Sequence, residues 1–321
     1  MKPGQRQPPM PVTDAFRNWY ERAGVRSDPR RMLEIEDDIH KAFFPERLVP
    51  HLDHPLIDPA DQDLRRYLTV QHCYQWLRFT MHFEVAVVCR ATQQIADGST
   101  GLDLSDASRM DAYKIVVDES YHSLYNLDVQ HQLEARSGIA ALNYDFGPFI
   151  QDLDSVGEDM PQHRMLVQLL QVVVFETLIT SILADIPSDE SVVTLVRDTV
   201  RDHALDEGRH HAFFSAFFKH LWGQLGNATR NLVADYLPVL ILRSLRPATD
   251  PARSALQSCG FDPQQVRDVI ADSYSRERVL AGVRRAAAKT IRLFDDVGVL
   301  DRPGVRDRFI SHGLIVPQEG S

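Results

Sequence analysis

One pattern, D-E-x-x-H, occurs twice in this chain and constrains the possible folds more than any other feature. The two copies span residues 118–122 and 206–210. Side chains three positions apart leave the same face of an α-helix, so each copy presents a carboxylate and an imidazole together. The repeat therefore predicts two helices that each contribute part of one metal site.

Two further glutamates lie in apolar stretches with a helical pattern. Glu176 lies in residues 165–186, which are almost continuously apolar and long enough to span a membrane, and Glu84 lies near Leu77 and Met81. A buried carboxylate is costly unless it is paired or bound to a metal. We therefore interpret residues 165–186 as a buried bundle helix with no membrane contact, and both glutamates as functional.

The sequence has a helical pattern almost throughout, with no sustained alternation of the kind that strands require. Long helices are predicted near residues 61–96, 105–135, 165–186 and 191–222. Shorter or flanking helices are predicted near residues 13–23, 28–43, 228–245 and 263–293. Because a long connection separates the second long helix from the third, the order predicts an all-α fold, a ferritin-like four-helix bundle with a long crossover connection and additional flanking helices.

The expected organisation is a short tail followed by one domain. Residues 1–12 are rich in proline and polar side chains, which predicts a disordered tail and no signal peptide. Residues 13–321 are expected to form a single helical domain whose core bundle covers about residues 60–225.

Composition narrows the class of protein and the compartment. The formal net charge of −10 and the lack of a basic patch argue against a nucleic-acid partner. The three cysteines, Cys73, Cys89 and Cys259, lie in apolar helical surroundings and are expected to be reduced core thiols. These features predict a cytoplasmic protein.

Combining the repeat with the two single glutamates gives a recognisable set of metal ligands. Two helices each offer Glu and His at i and i+3, and two others each offer one Glu, as in the di-metal carboxylate proteins of the ferritin-like fold. Carboxylates and imidazoles without cysteine favour iron first and manganese second. The predicted ligands are Glu84, Glu119, His122, Glu176, Glu207 and His210.

His203 lies one helical turn before Glu207 and would add a third imidazole to this set. With it, the chain reads E…E-x-x-H…E…H-x-x-x-E-x-x-H, and over roughly residues 60–225 it resembles the AurF-type p-aminobenzoate N-oxygenases, which are ferritin-like non-haem di-iron enzymes. All seven positions of that family's ligand pattern are matched here in order.

The resemblance implies a monooxygenase that activates O2 at two iron ions and oxygenates the nitrogen of a small-molecule amine. The amine would become a hydroxylamine and could continue to a nitroso or nitro group, in secondary-metabolite biosynthesis. It also implies a homodimer. Since the chain has no flavin or iron–sulfur motif, electrons are expected from an external ferredoxin- or flavodoxin-type reductase system.

Five other residues are candidates for a role at the site. Three of them have an alternative interpretation, and the other two have weaker support. Asp118 and Asp206 either accept a hydrogen bond from the histidine of the opposite helix or are ordinary helix-surface charges. Thr80 and Phe175 are candidates to line a substrate pocket near the metals. Arg78 either binds a substrate carboxylate or forms a salt bridge with an acid of the bundle.

Two alternative functions keep the same ligands. One is a di-iron C–H hydroxylase or desaturase that acts on a carrier-bound substrate. The other is a non-catalytic iron-binding protein or ferroxidase. His203 favours N-oxygenation over the first alternative. A chain about twice the length of a minimal four-helix bundle argues against the second.

Overall fold

The computed structural model describes residue 10 and residues 13–34, 41–158 and 163–317. Its regular structure in this part of the chain is helical, apart from a single bridge between Ala42 and Val192, which confirms the predicted all-α class. The helices are α1 (Trp19–Arg22), α2 (Gly24–Ser27), α3 (Gln62–Phe83), α4 (Arg90–Asp97), α5 (Asp106–Ser137), α6 (Gly147–Ser155), α7 (Arg164–Ile182), α8 (Thr194–Gln224), α9 (Asn227–Ser244), α10 (Asp250–Ser258), α11 (Pro263–Ser273), α12 (Arg276–Asp296) and α13 (Val305–Ser311).

Four long helical segments form a closed ring around the core. The segment α3–α4 packs against α5, α5 packs against α8, α8 packs against α7, and α7 returns to α4. Local signals in the sequence set the helix ends. Ser105 caps α5 by accepting a hydrogen bond from the backbone N–H of Ser108, and Gly138 ends that helix with φ of +70°.

The first long segment is interrupted where it matters for the site. A π-helical stretch, Glu84–Cys89, separates α3 from α4. Such stretches insert one extra residue into a helix and re-aim the side chains around it, and they are frequent at functional sites. The hydrophobic pattern of residues 61–96 predicted a helix here but gave no indication of this irregularity, which begins at Glu84 itself.

Helix α7 is the core helix of the ring. The stretch Arg164–Asp185 is long and apolar enough to cross a membrane, but 72% of its most apolar window is buried inside the protein. It contacts α4, α8, α9 and α12, so its apolar residues pack against protein on every side. This burial agrees with the interpretation of residues 165–186 as a buried bundle helix.

The other helices cover the outside of the ring. Helices α9 and α12 pack against α7, and α10 packs against α3. The flanking helix predicted at 263–293 is two helices, because α11 ends before Tyr274 and α12 begins only after Ser275. The helix predicted at 28–43 is wrong over residues 28–34 and 41–43, which are not helical, while residues 35–40 lie outside the described part.

The N-terminal segment packs against the ring. A short 3-10 turn (Asp14–Phe16) contacts α8, and α2 contacts both α5 and α8. The predicted disordered tail lies outside the described residues except for Met10, whose side chain is buried and whose carbonyl oxygen accepts a hydrogen bond from Ser108 Oγ at 3.5 Å.

Candidate metal centre

The bundle brings all seven predicted ligands into one buried cluster. Each has at most 1% of its surface exposed. They form two overlapping groups, and within each group one potential ligand atom per residue lies within 4.8 Å of all the others. The first group is Glu84, Glu119, His122, His203 and Glu207. The second is Glu119, Glu176, Glu207 and His210.

In the first group, two imidazoles approach the carboxylates from α5 and α8. His203 Nε2 lies 2.9 Å from Glu207 Oε1 and 3.5 Å from Glu84 Oε1. His122 Nδ1 lies 2.9 Å from Glu119 Oε2 and 3.5 Å from Glu207 Oε1. The two rings are 4.1 Å apart between centroids, so both can face one small ion.

In the second group, a single imidazole faces three carboxylates. His210 Nδ1 lies 2.7 Å from Glu119 Oε1, 3.5 Å from Glu207 Oε2 and 3.8 Å from Glu176 Oε2. Glu119 and Glu207 belong to both groups, and each turns its two oxygens toward different histidines. This is the arrangement in which a carboxylate can bridge two ions.

The cluster fits a pair of cations because its four carboxylates carry more negative charge than its three imidazoles could neutralise. Six carboxylate oxygens and His210 Nδ1 are buried without a hydrogen-bond partner among the described residues. Unpaired buried acceptors are costly, and buried charges need a counter-charge or a metal. Four glutamates supply four negative charges, which two divalent ions would neutralise, and the three imidazoles would complete their coordination.

The acidities of the glutamates reflect the same crowding. Burial, together with the carboxylates of Glu119 and Glu207, raises the pKa of Glu84 well above its ordinary value. Burial and the same two carboxylates raise the pKa of Glu176 in the same way. Burial and Glu207 also oppose ionisation of Glu119, but the imidazoles of His210 and His122 outweigh them and hold its pKa at about 2.

The histidine of each D-E-x-x-H copy forms a hydrogen bond, on its side away from the cluster, with the aspartate of the other copy. Asp206 Oδ2 lies 3.2 Å from His122 Nε2, and Asp118 Oδ2 lies 3.2 Å from His210 Nε2. A carboxylate only accepts, so each imidazole carries its proton at Nε2 and directs the Nδ1 lone pair into the cluster. Both aspartates are buried, which excludes an ordinary surface charge.

The N-terminal segment supplies contacts that sequence reasoning missed. Trp19 Nε1 donates to Asp118 Oδ1 at 2.9 Å and to Oδ2 at 2.8 Å. The backbone N–H of Gly24 donates to Asp206 Oδ1 at 3.4 Å, and Arg209 forms an ion pair with the same oxygen. Residues 19 and 24 are far from their partners in the sequence, so no local pattern could have identified them.

Tyr125 is another residue near the cluster that the sequence did not single out. Its ring centroid lies 5.4 Å from that of His122 and 5.9 Å from that of His203. The hydroxyl is buried with no partner among the described residues. Burial, and then the Glu207 carboxylate, raises its pKa well above the ordinary value. Its position one turn after His122 was the available signal.

Two cavities are lined by residues that neighbour the ligands in the sequence or in space, although no ligand lines either one. The first, of about 330 Å³, lies between α5, α8 and the N-terminal segment and is lined by Tyr125, Thr199 and Asp206 among others. The second, of about 580 Å³, lies between α3, α7 and α12, and we call it the α12 cavity. Thr80 and Phe175 both line the α12 cavity, one turn before Glu84 and immediately before Glu176 respectively.

Arg78 is placed differently from both sequence-based expectations. Its Nε donates to Gln130 Oε1 at 2.9 Å, and its NH1 group donates to the carbonyl oxygen of Leu142 at 2.8 Å. It does not line the α12 cavity, and its observed partners are neutral. The hydrogen bonds tie α3 to α5 and to the crossover connection, so the observed contacts of Arg78 are structural.

The fold and the cluster together define a class of protein. A four-helix ring whose members direct four glutamates and three histidines into one buried cluster is a ferritin-like di-iron protein. The comparison with protein families identifies the family within this class. The model described as P-aminobenzoate N-oxygenase AurF matches residues 16–298 of the 321, so the chain belongs to that family. A search among curated proteins found no match to the chain.

Family membership confirms the resemblance that the sequence suggested and extends it over most of the chain. The protein is an oxidoreductase, a di-iron N-oxygenase that uses O2 and two iron ions, and the buried cluster has the donors to bind both.

Proposed function

We propose that the seven clustered residues would hold the two irons, with Glu119 and Glu207 shared between the two positions. His122, His203 and Glu84 complete the first position, and His210 and Glu176 complete the second. The support is the overlap of the two groups, since the two shared glutamates are the ones that turn separate oxygens toward separate histidines.

The reaction that we propose is oxygenation of an amine nitrogen to a hydroxylamine, which could continue to a nitroso or nitro group. The observation that carries this assignment is His203. It lies 2.9 Å from Glu207 and 3.5 Å from Glu84, as a third imidazole beyond the usual set of four glutamates and two histidines. An additional neutral nitrogen donor changes the charge and the open positions of the first iron.

The irons supply the activation of O2, and the chain's own residues prepare the site for it. Asp118 and Asp206 hold the protons of His210 and His122 at Nε2, which fixes the direction of both imidazoles. Phe83 and Phe175 stack with centroids 3.6 Å apart, beside the two single glutamates. Phe175 also lines the α12 cavity, so this apolar pair would exclude water between that cavity and the cluster.

The substrate is a small-molecule amine that enters through the α12 cavity. Electrons come from an external ferredoxin- or flavodoxin-type reductase, because the sequence carries no motif for a redox cofactor of its own. We further propose one helical domain over residues 13–321, a cytoplasmic location, a homodimeric assembly and a role in secondary-metabolite biosynthesis.

Iron analysis of three variants tests the ligand assignment. Wild-type protein should bind about two irons per chain, because seven ligands are too many for one ion. The Glu119→Ala and Glu207→Ala variants should lose both irons. The Glu84→Ala variant should retain the second iron, because Glu84 belongs to the first group only. One zinc per chain would refute the site assignment, and equal loss in all three variants would refute the sharing of Glu119 and Glu207.

His203→Ala tests the reaction. Six ligands remain in this variant, so iron should still bind, but conversion of an aryl and alkyl amine panel to hydroxylamines should fall sharply. His131→Ala, which removes an exposed imidazole from α5, is the control and should behave as wild type. Wild-type oxidation of carbon without nitrogen oxidation would indicate a C–H hydroxylase, and oxidation of ferrous iron alone would indicate a ferroxidase.

A further inference from the structure

The α12 cavity differs in character between its inner and outer ends. The inner end adjoins the ligand helices and is lined by Trp76, Phe79, Thr80, Phe175 and Ile179. None of these five side chains is charged, and Thr80, Phe175 and Ile179 are each at least 95% buried. A carboxylate placed there would lose its hydration without gaining a cationic partner, which is strongly unfavourable.

The mouth of the cavity carries positive charge. Arg47, Arg246 and Arg278 line it together with one acid, Asp53, in a chain whose net charge is −10. Two of these arginines are already paired within the protein. Arg47 lies 3.2 Å from Asp189 Oδ2, and Arg246 lies 3.1 Å from Asp152 Oδ2.

Arg278 is different, because it is exposed and has no ion pair or hydrogen bond with any residue in the described ranges. It lies in the first turn of α12, on the side that lines the cavity. An unpaired guanidinium at the mouth of a cavity with an uncharged inner end is suited to bind a carboxylate or phosphate through two parallel hydrogen bonds.

A buried polar group between the two ends also lacks a partner. The Ser244 side chain lines the cavity and is 4% exposed, and its hydroxyl oxygen makes no hydrogen bond within the described part of the chain. Buried hydroxyls are normally hydrogen-bonded, so this one is available to a polar group of a bound molecule.

The volume of the cavity sets the size of that molecule. A cavity of roughly 150 Å³ is enough to bind benzene. The α12 cavity, at about 580 Å³, is nearly four times larger and falls in the range of sites for drug-sized ligands. A single aromatic amine would fill only part of it.

We propose that the substrate is an elongated, largely apolar amine, with its nitrogen at the uncharged inner end and an anionic group bound by Arg278 at the mouth. This inference rests on the proposed function, because it takes the α12 cavity as the route to the irons. The anionic group is a carboxylate or a phosphate ester, which Arg278 would bind through the same chemistry.

Equilibrium binding to the iron-loaded enzyme without O2 tests this substrate class independently of turnover. The probes are p-aminobenzoate, an aminobiphenyl carboxylate, its methyl ester and the corresponding phosphonate. Both biphenyl anions should bind at least about tenfold more tightly than p-aminobenzoate. The tighter of the two indicates whether the natural anion is a carboxylate or a phosphate.

Two variants and one control locate the contacts. Arg278→Gln should weaken binding of the biphenyl anions by about five- to tenfold and leave the ester unchanged. Arg285→Gln, an exposed arginine of the same helix outside the cavity, should change neither. Gly282→Leu projects a side chain from a cavity-lining position with open space at its Cβ, so it should weaken all biphenyl probes and spare p-aminobenzoate.

Failure of this inference is distinguishable from failure of the proposed function. Equal affinity for the short and long anions, or unchanged affinity in the Arg278→Gln variant, would overturn the proposed substrate class. The proposed function would still hold if the enzyme oxygenated the nitrogen of any amine. Tight, Arg278-dependent binding would support the substrate class even if the products showed oxidation at carbon instead of nitrogen.

Discussion

Replacing Asp118 by asparagine should weaken iron binding by about ten- to a hundredfold while the chain still folds. Both carboxylate oxygens accept from Trp19 Nε1, at 2.9 and 2.8 Å, and Oδ2 also lies 3.2 Å from His210 Nε2. Asparagine keeps the shape but offers one acceptor oxygen and one NH2 group. In either orientation of the amide, the NH2 group therefore faces a buried N–H donor: Trp19 Nε1 if it replaces Oδ1, and both Trp19 Nε1 and His210 Nε2 if it replaces Oδ2.

Two independent estimates give a similar magnitude for this change. A buried donor left without an acceptor costs about 1–3 kcal/mol. A ten- to hundredfold loss of metal affinity corresponds to about 1.4–2.8 kcal/mol. The first cost should appear in the metal-free protein as a lower melting temperature, and the second as earlier loss of iron to a competing chelator.

Asp128→Asn is a matched control on the same helix. Asp128 pairs with Arg30 at the surface, and the Arg30 side chain is 64% exposed, so its neutralisation should change stability by less than about 1 kcal/mol and leave iron retention unchanged. If Asp118→Asn retained iron as strongly as Asp128→Asn, the hydrogen bond behind His210 would have no part in metal binding.

Three further changes have defined outcomes. Gly24→Ala should weaken iron retention, since its Cβ would lie 2.9 Å from Asp206 Oδ2 and displace the carboxylate behind His122; chelator competition measures this. Gly208→Ala should raise the melting temperature and leave iron unchanged, because its Cβ meets open space on α8 and alanine favours a helix by about 1 kcal/mol. Burial lowers the pKa of His51 to about 4. Between about pH 6.5 and 4 the unfolded chain therefore binds a proton that the native chain excludes. The free energy of unfolding should fall as the pH decreases through this window, by up to about 1.4 kcal/mol per pH unit. His51→Gln should make that decline shallower in denaturant titrations, and an unchanged slope would contradict the assignment.

The ring of helices was predictable because its signals are local. The helical period places Glu119 with His122, and Glu207 with His203 and His210, on single faces, so these five members of the cluster followed from their spacing. The apolar run of α7 identified a buried helix, and burial of Glu176 followed from it. These inferences needed only the geometry of one helix at a time.

The features that could not be predicted depend on contacts between distant parts of the chain. The π-helical stretch that begins at Glu84 interrupts a continuous helical pattern without any glycine or proline to mark it. Arg78 carried a charge that suggested a ligand or an ion pair, yet its partners Gln130 and Leu142 are fixed by how α3 packs against α5 and the crossover. Neither outcome is encoded within one helical turn.

The same limit explains why the N-terminal segment had no assigned role, although it links the two halves of the site. Trp19 contacts the aspartate behind His210, and Gly24 contacts the aspartate behind His122. The two histidines belong to different groups of ligands, so one short segment supports both. Because residues 19–24 include only single-turn helices, which are marginal without tertiary contacts, their order depends on the aspartates they bind. The segment and the cluster therefore stabilise each other, and loosening either should loosen both.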